Sequence, residues 1–179
     1  MANIVVAGFG GQGILFAGRL LAQAAMEEGK FTTFFPSYGA EMRGGTAHCL
    51  VIISSEEIAS PIFKNPDLAI FLNEPSAKKF LPLMKKDGLA VLNSSLIKDY
   101  SLPEGIKIVK VPATELAQKL GDGKVANLAA LGAFLMKSKI LSLEAMEKSL
   151  KVMLTGEKIK LLDINLAALR KGVESMEKL

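Results

Sequence analysis

A glycine-rich turn near the N-terminus constrains the fold more than any other stretch of this chain. The turn, Gly8-Phe9-Gly10-Gly11-Gln12-Gly13, follows the apolar residues 4–7 and precedes a longer apolar stretch, residues 14–29. The first run predicts a buried strand, and the second predicts a helix. A strand, a glycine turn and a helix in this order form the opening unit of a Rossmann-like α/β fold.

The same turn predicts a binding site for an anionic group. Closely spaced glycines let backbone amides crowd together, and the following helix directs its N-terminal amides and partial positive charge there. Gly8, Gly10 and Gly13 match the dinucleotide fingerprint G-x-G-x-x-G. The acidic residue that should bind the ribose hydroxyls is missing, because residues 30–39 contain no Asp or Glu. A turn that only packs the helix against the sheet therefore remains an alternative.

The middle of the chain alternates strand and helix patterns, which indicates a mostly parallel sheet covered by helices. Only eleven residues without a helical pattern join the strands at 31–35 and 47–53. A parallel crossover needs about a dozen or more, so we expect these two strands to pair antiparallel. We also expect a hairpin at 54–57 and an edge strand at 58–60, which would complete an antiparallel insert around residues 31–60. The remaining predicted strands lie at 68–72, 89–92 and 106–111.

The last third of the chain is predicted to be helical. Residues 125–137 are small and apolar, which indicates a buried helix, and Asn127 near its start is either an N-cap or a site residue. The final helix is predicted to pack on its own domain, with a seam to a second subunit as the alternative. Because we find no repeat and no linker, we predict one domain over residues 1–179. The apolar stripe of the final helix comprises Ile159, Leu162, Leu166, Leu169, Val173 and Met176.

Charge and hydropathy exclude several classes of protein. The net charge of +4 comes from scattered lysines without interleaved aromatic residues, which argues against nucleic-acid binding. No apolar run reaches membrane-spanning length, and the chain begins without a basic leader, so we expect a cytoplasmic protein. Half of the residues are apolar and the mean hydropathy is +0.32, from which we infer that some apolar surface faces a partner.

Cys49 and His48 are the only cysteine and the only histidine of the chain. One of each cannot ligate an iron–sulfur cluster or form a zinc site. As neighbours in a predicted strand they point to opposite faces, so they cannot form a nucleophile and base pair. For His48 we predict a structural role. We therefore predict no catalytic residue and no metal ligand in this chain.

Three stretches together carry a resemblance to a known family. They are the turn from Gly8 to Gly13, the segment Tyr38-Gly39-Ala40-Glu41-Met42-Arg43-Gly44-Gly45-Thr46, and the segment Asn127-Leu128-Ala129-Ala130-Leu131-Gly132. With these, essentially the whole chain resembles the gamma subunit of 2-oxoacid:ferredoxin oxidoreductases, in the pyruvate/ketoisovalerate oxidoreductase family. The sequence around Tyr38 is similar to that of the enzymes that act on 2-oxoglutarate or a branched-chain 2-oxo acid, with 2-oxoglutarate favoured.

The resemblance implies coenzyme A-dependent oxidative decarboxylation of a 2-oxo acid, with electrons passed to ferredoxin. It also implies a hetero-oligomer in which thiamine diphosphate and iron–sulfur clusters lie on partner subunits. This chain would then hold no cofactor alone, could contact coenzyme A, and would show no turnover by itself.

The site hypothesis brings the glycine turn and the segment 38–45 to one edge of the sheet. Arg43 would bind a phosphate or carboxylate, Glu41 would orient Arg43 or contact a partner, and Gly44 would let backbone approach closely. A structural ion pair between Glu41 and Arg43 is the alternative. The predicted cofactor-binding residues are Gly8, Gly10, Gly11, Gln12, Gly13, Tyr38, Glu41, Arg43, Gly44 and Asn127.

Two further functions remain open from the sequence. The glycine turn would suit a free-standing oxidoreductase that binds NAD(P) or a flavin, and an empty turn would suit a pure assembly module. Other enzymatic functions are disfavoured. No Gly-Lys-Ser/Thr follows the turn, so it is not a nucleoside triphosphate loop, and no Gly-x-Ser-x-Gly nucleophile elbow is present.

Overall fold

The computed structural model describes residues 1–37 and 46–177. These residues form a six-stranded sheet in the order β2-β3-β1-β4-β5-β6, flanked by α-helices. The strands are β1 (Ala2–Phe9), β2 (Phe31–Ser37), β3 (Thr46–Ser54), β4 (Leu68–Phe71), β5 (Leu89–Asn93) and β6 (Lys107–Val111). The helices are α1 (Ile14–Glu27), α2 (Glu74–Phe80), α3 (Ala113–Lys119), α4 (Ala126–Ser138), α5 (Leu143–Met153) and α6 (Leu162–Glu177).

The sheet has a parallel part and an antiparallel part. β1, β4, β5 and β6 run parallel, whereas β3 is antiparallel to both β1 and β2. The predicted α/β architecture and the antiparallel pairing of β2 with β3 are therefore confirmed. β2 runs through Pro36 to Ser37, two residues beyond the predicted end at Phe35, because an edge strand tolerates a missing N–H group.

The prediction of a hairpin at 54–57 and an edge strand at 58–60 was wrong. Residues 55–67 form no strand. The reason lies in the sheet order: β3 already has β2 on one edge and β1 on the other, so a returning strand finds no free edge on it. The antiparallel part of the described chain thus ends with β3 at Ser54.

The core is divided between the two faces of the sheet. Ile4 and Val6 of β1 face the larger cluster, which includes residues of α1 and α4. Val5 and Ala7, which alternate with them, face the smaller cluster under α2. α1 and α2 therefore cover opposite faces, and β1 and β4 lie side by side between them.

Two glycines bring α4 and α6 into backbone contact. A Cβ atom at Gly132 would overlap the carbonyl oxygen of Leu169, and a Cβ atom at Gly172 would overlap that of Ala129. Leu169 and Met176 are buried beside this crossing. The last helix therefore packs against its own chain, as predicted.

The apolar stripe predicted for the last helix was only partly right. Ile159 lies outside the helix, in a 3-10 turn over Gly156–Leu161, and its side chain is 61% exposed. The buried face of α6 includes the small residues Ala168 and Gly172. A close crossing selects small residues for its centre and moves larger ones to its flanks. Within the described ranges, no helix is long and apolar enough to span a bilayer.

Candidate functional site

The glycine turn is held in shape by its own glutamine. Gln12 accepts a hydrogen bond from the Phe9 amide at its Oε1 (2.7 Å) and donates from its Nε2 to the Leu72 carbonyl (3.4 Å). Leu72 follows β4, so the Gln12 side chain ties the turn after β1 to the end of the neighbouring strand. Gln12, predicted as a ligand residue, therefore uses its amide to position the turn.

Positive φ angles shape the second half of the turn. Gly11 has φ 96° and Gly13 has φ 71°, a region that side chains with a Cβ rarely adopt. Gly8 is packed from the other side, because a Cβ there would lie 2.6 Å from Gln12 Oε1 and 2.6 Å from Ile14 Cδ1. The glycines at 8 and 13 are thus required by packing and backbone geometry, whether or not a ligand binds.

The first turn of α1 carries no compensating negative charge. Gly13 precedes the helix without a side-chain cap, and no acidic residue lies in the first turn. The N-terminal amides of an α-helix lack intrahelical partners and carry a partial positive charge. The arrangement is therefore electrostatically suited to an anion, and anion binding at this turn stays a prediction.

Asn127 fixes the turn from the side of α4. Its side chain is 4% exposed, and its Nδ2 donates to the Gly13 carbonyl at 3.1 Å. Of the two alternatives predicted for Asn127, the N-cap of α4 is wrong, because Val125 occupies that position, and the role as a site residue stays a prediction. A Cβ at Gly13 would overlap Asn127 Nδ2, so this position must be a glycine while the Asn127 amide lies beside it.

The second predicted loop lies outside the described residues, and with it Tyr38, Glu41, Arg43 and Gly44. Its two flanks are described. β2 ends at Ser37, and β3 begins at Thr46, which pairs with Phe9 at the end of β1. Both flanks therefore lie at the edge of the sheet where the glycine turn begins. The meeting of the two loops stays a prediction.

Two cavities adjoin the glycine turn. A smaller one, of about 310 Å³, is lined by Gly10 and by residues next to the undescribed loop, Ser37 and Ala47. A larger one, of about 570 Å³, lies between the start of α1 and the connection from α5 to α6. The larger cavity is within the size range of small-molecule sites. Its cationic lining residues, which the sequence analysis missed, are Arg19, Lys124 and Lys158.

Cys49 and His48 lie on opposite faces of β3, as predicted. Cys49 is fully buried, and burial raises the pKa of its thiol to about 12. A thiol with this pKa does not ionise near neutral pH and is not a nucleophile. The His48 ring packs on Phe80 with ring centroids 4.9 Å apart. In the part of the chain that the structure describes, no group of three or more His, Cys, Asp or Glu could hold a metal ion.

Comparison with known proteins gives a match over nearly the whole chain. The family model described as "Pyruvate ferredoxin/flavodoxin oxidoreductase" matches residues 3–175. The ketoisovalerate oxidoreductase subunit VorA of Methanothermobacter marburgensis is 40% identical over 174 residues, covering 96% of this chain and 36% of the relative. The chain thus spans about a third of the length of that relative. The 2-oxoglutarate synthase subunit KorC of Methanothermobacter marburgensis and the pyruvate synthase subunit PorC of Thermotoga maritima are each 32% identical, covering 83% and 95% of this chain and 84% and 92% of the relatives.

Two solved structures share the fold. The gamma subunit of a keto/oxoacid ferredoxin oxidoreductase from Geobacter sulfurreducens has a TM-score of 0.85 at 29% identity, with 100% of both chains covered. The 2-oxoglutarate:ferredoxin oxidoreductase from Magnetococcus marinus, solved with 2-oxoglutarate, coenzyme A and succinyl-CoA bound, has a TM-score of 0.87 at 26% identity. That match covers 99% of this chain and 31% of the longer one.

Proposed function

Because the chain belongs to the pyruvate ferredoxin/flavodoxin oxidoreductase family, we propose that it is the gamma subunit of a multi-subunit 2-oxoacid:ferredoxin oxidoreductase. The observation that carries the proposal is the end-to-end match with a gamma subunit, at a TM-score of 0.85. We further propose that residues 1–179 form one domain of this complex. The packing of α6 back onto α4 supports that proposal.

The complex would convert a 2-oxo acid and coenzyme A to an acyl-CoA and carbon dioxide, with the electrons passed to ferredoxin. Thiamine diphosphate and iron–sulfur clusters would supply the carbon and electron chemistry on partner subunits. The residues of this chain do not fit a cluster, because its single cysteine is fully buried and points into the α1 side of the core. Partner chains that carry these groups are therefore part of the proposal.

The glycine turn fits a different task, which is to hold a phosphate of coenzyme A. Gly10, Gly11 and Gly13 would bring backbone to the ligand, while Gln12 and Asn127 keep the turn in shape. Arg43 would add a bidentate contact, with Tyr38, Glu41 and Gly44 beside it in the undescribed loop. This chain's own contribution is binding and orientation of the ligand.

Two substrates remain in the proposal. The sequence around Tyr38 favours 2-oxoglutarate, whereas the 40% identity to a ketoisovalerate oxidoreductase subunit supports a branched-chain 2-oxo acid. The 2-oxoglutarate synthase relatives are 32% to 36% identical to this chain, and the pyruvate synthase relatives are 31% to 32% identical. An assay of low-potential dye reduction by the purified complex, with 2-oxoglutarate, 2-oxoisovalerate and pyruvate in parallel, separates the three.

Copurification tests the subunit role directly. A tagged copy of the chain, expressed in its native host, should recover chains that contain thiamine diphosphate and iron–sulfur clusters. The recovered complex should reduce a low-potential dye only when a 2-oxo acid and coenzyme A are both present. Recovery of the tagged chain alone, with tight NADH or NADPH binding, would instead support the free-standing NAD(P) oxidoreductase.

A further inference from the structure

The two edge strands of the sheet differ in charge. β6 forms one edge and β2 forms the other. β6 carries Lys107 and Lys110 among its five residues, whereas the seven residues of β2 carry no charge. Lysines on an edge strand hinder its pairing with another chain, because a copy of that strand would bring like charges together. Charge therefore protects β6 against pairing, and it does not protect β2.

The backbone of β2 is paired on one side. An antiparallel strand directs alternate pairs of N–H and C=O groups to either side. β2 bonds to β3 on its inner side, and within residues 1–37 and 46–177 it has no other hydrogen-bond partner. A row of unpaired backbone groups is a template for a further strand. The outer side of β2 can therefore accept another chain.

Exposed apolar side chains surround this edge. Phe31 is 48% exposed and Phe35 is 40% exposed. They alternate with Phe34, which packs on the core under α1, so they lie on the opposite face of the sheet. On the α1 face, Arg19 contacts the Phe34 ring, and Met26, seven residues later on the same side of the helix, is 53% exposed. Both faces of the edge thus offer the apolar surface that is typical of an interface between identical chains.

Two residues limit the part of β2 that can pair. The backbone N–H of Lys30 donates to the Ala25 carbonyl at 2.9 Å, so it is already used. Pro36 has no N–H and weakens any ladder that includes it. The segment between them, residues 31–35, is free of both constraints and has Thr33 at its centre.

A two-fold axis at Thr33 gives favourable pairs along this segment. In antiparallel pairing each Thr33 lies opposite its copy, and Phe31 of one chain lies opposite Phe35 of the other. Cross-strand aromatic pairs and threonine pairs stabilise antiparallel strands. The Oγ1 of Thr33 is buried without a hydrogen-bond partner among the described residues. After rotation about χ1, the Thr33 hydroxyl of the second copy would supply that partner.

We propose that β2 pairs antiparallel with β2 of a second copy of this chain, about a two-fold axis at Thr33, and thereby joins the two sheets. Each chain contributes the same strand, so the contact closes as a dimer. The charges of β6 exclude the corresponding contact at the other edge. The inference concerns this chain alone and does not rest on the proposed function.

Disulfide cross-linking of the full chain tests the register. Oxidation of Thr33→Cys should give a covalent dimer, because directly opposite residues have Cβ atoms about 5 Å apart. Phe35→Cys is the matched control, since its own copy would lie four residues further along, about 13 Å away. A mixture of Phe31→Cys and Phe35→Cys chains should cross-link again. The native Cys49 is fully buried and does not contribute.

A charge exchange tests the same pairs without a covalent bond. Phe31→Glu removes one aromatic partner of each pair and should raise the dimer Kd at least tenfold in sedimentation equilibrium. Adding Phe35→Lys places a cation opposite each carboxylate and should return the Kd to within threefold of the original. Leu102→Glu, at a 60% exposed residue between β5 and β6, is the control and should stay within twofold. Thermal denaturation verifies that each variant is folded.

A chain that sediments as a monomer at the concentrations used for cross-linking would overturn the inference. Equal cross-linking of Thr33→Cys and Phe35→Cys would also overturn it, because random collisions do not depend on register. The register is wrong if Phe35→Lys fails to restore the dimer that Phe31→Glu weakens. When the Thr33→Cys chain is purified with its native partners, a covalent product with a different subunit would assign the edge to that subunit and contradict pairing with a second copy.

Discussion

Glycine serves opposite purposes in two regions of this molecule. In the turn after β1, Gly11 and Gly13 have positive φ angles, and the backbone there stays open toward two cavities. At the crossing of α4 and α6, Gly132 and Gly172 have ordinary helical backbone, and each is pressed against the backbone of the other helix. The first pair provides a conformation, and the second pair provides close contact.

This difference predicts how much stability is lost when each glycine is replaced. At the crossing, an added Cβ meets backbone atoms of a packed helix, which cannot move without separating the two helices. At Gly11 a Cβ would meet nothing within 4 Å, so only the backbone conformation resists it. Gly13 is intermediate, because it combines a positive φ with a side-chain neighbour. Substitutions at these sites can therefore separate contact from conformation.

The largest loss of stability is expected for Gly132→Ala. The new Cβ would overlap the Leu169 carbonyl, and overpacking of a rigid contact costs about 3 kcal/mol. Chemical denaturation of the variant should show this as a lower midpoint with an unchanged slope. Gly123→Ala is the matched control, because a Cβ there would have its nearest neighbour at 3.9 Å. If Gly132→Ala lost no more stability than Gly123→Ala, close contact between α4 and α6 would not be what requires glycine at position 132.

Gly13→Ala should cost about 2 kcal/mol, as the sum of an unfavourable φ and an overlap with Asn127. In an Asn127→Ala background the overlap disappears, so the same change should cost only about 1 kcal/mol. A double-mutant cycle measured by denaturation gives the coupling between the two sites. Strict additivity would mean that the Asn127 amide does not constrain this glycine.

Gly11→Ala isolates the conformational cost and should destabilise by about 1 kcal/mol. Its φ of 96° is unfavourable for alanine, but the surrounding space is open. Gly11→Asn should lose less, because Asn tolerates positive φ better than Ala does. The ranking is checked by thermal unfolding of the three proteins under one condition. A loss as large as that at Gly132 would contradict the distinction between conformation and contact.

The smallest effect is expected for Arg170→Met, which removes an exposed ion pair beside the crossing. Arg170 Nε and Nη2 donate to the two Glu147 oxygens at 2.6 and 2.9 Å. The hydrogen bond from Arg170 holds the pKa of Glu147 below its ordinary value of 4.5. A carboxylate with a lowered folded pKa adds stability above its unfolded pKa, and that stability is lost as the pH falls through the folded pKa.

The Tm difference between the original chain and Arg170→Met should therefore be present at pH 7 and decline in acid. It should remain smaller than the effect of Gly11→Ala, because exposed ion pairs contribute little. Lys171→Met is the matched control, since its partner Glu174 lies on the same helix and bridges no crossing. A difference that persists unchanged into acid would exclude Glu147 as its source.

Local patterns explain which parts of the fold could be predicted. Apolar runs and the glycine turn predicted the first strand and helix, and the short link between β2 and β3 predicted their antiparallel pairing. The hairpin after Ser54 was predicted wrongly, because the sequence does not reveal that both edges of β3 are occupied. Strand order is a property of the assembled sheet.

The candidate site also has features that the sequence predicted and features that only the structure revealed. The glycines of the turn were found from their spacing, which is local. The role of Asn127 and the convergence of Arg19, Lys124 and Lys158 were missed, since those residues lie in separate elements. The position of Asn127 at the start of a buried helix indicated that it could matter. The sequence did not indicate that its side chain binds the Gly13 carbonyl.

The sequence by itself determined the strand, turn and helix at the N-terminus, the α/β class, and the lack of cysteines and histidines for a cluster. Backbone conformation and composition are set by neighbouring residues, so they can be inferred from one chain. Only the tertiary structure decided that Gly132 packs on the backbone of Leu169, that Gly172 packs on that of Ala129, and that three cations share a cavity. Such contacts depend on how helices cross after they pack, and no local pattern specifies that geometry.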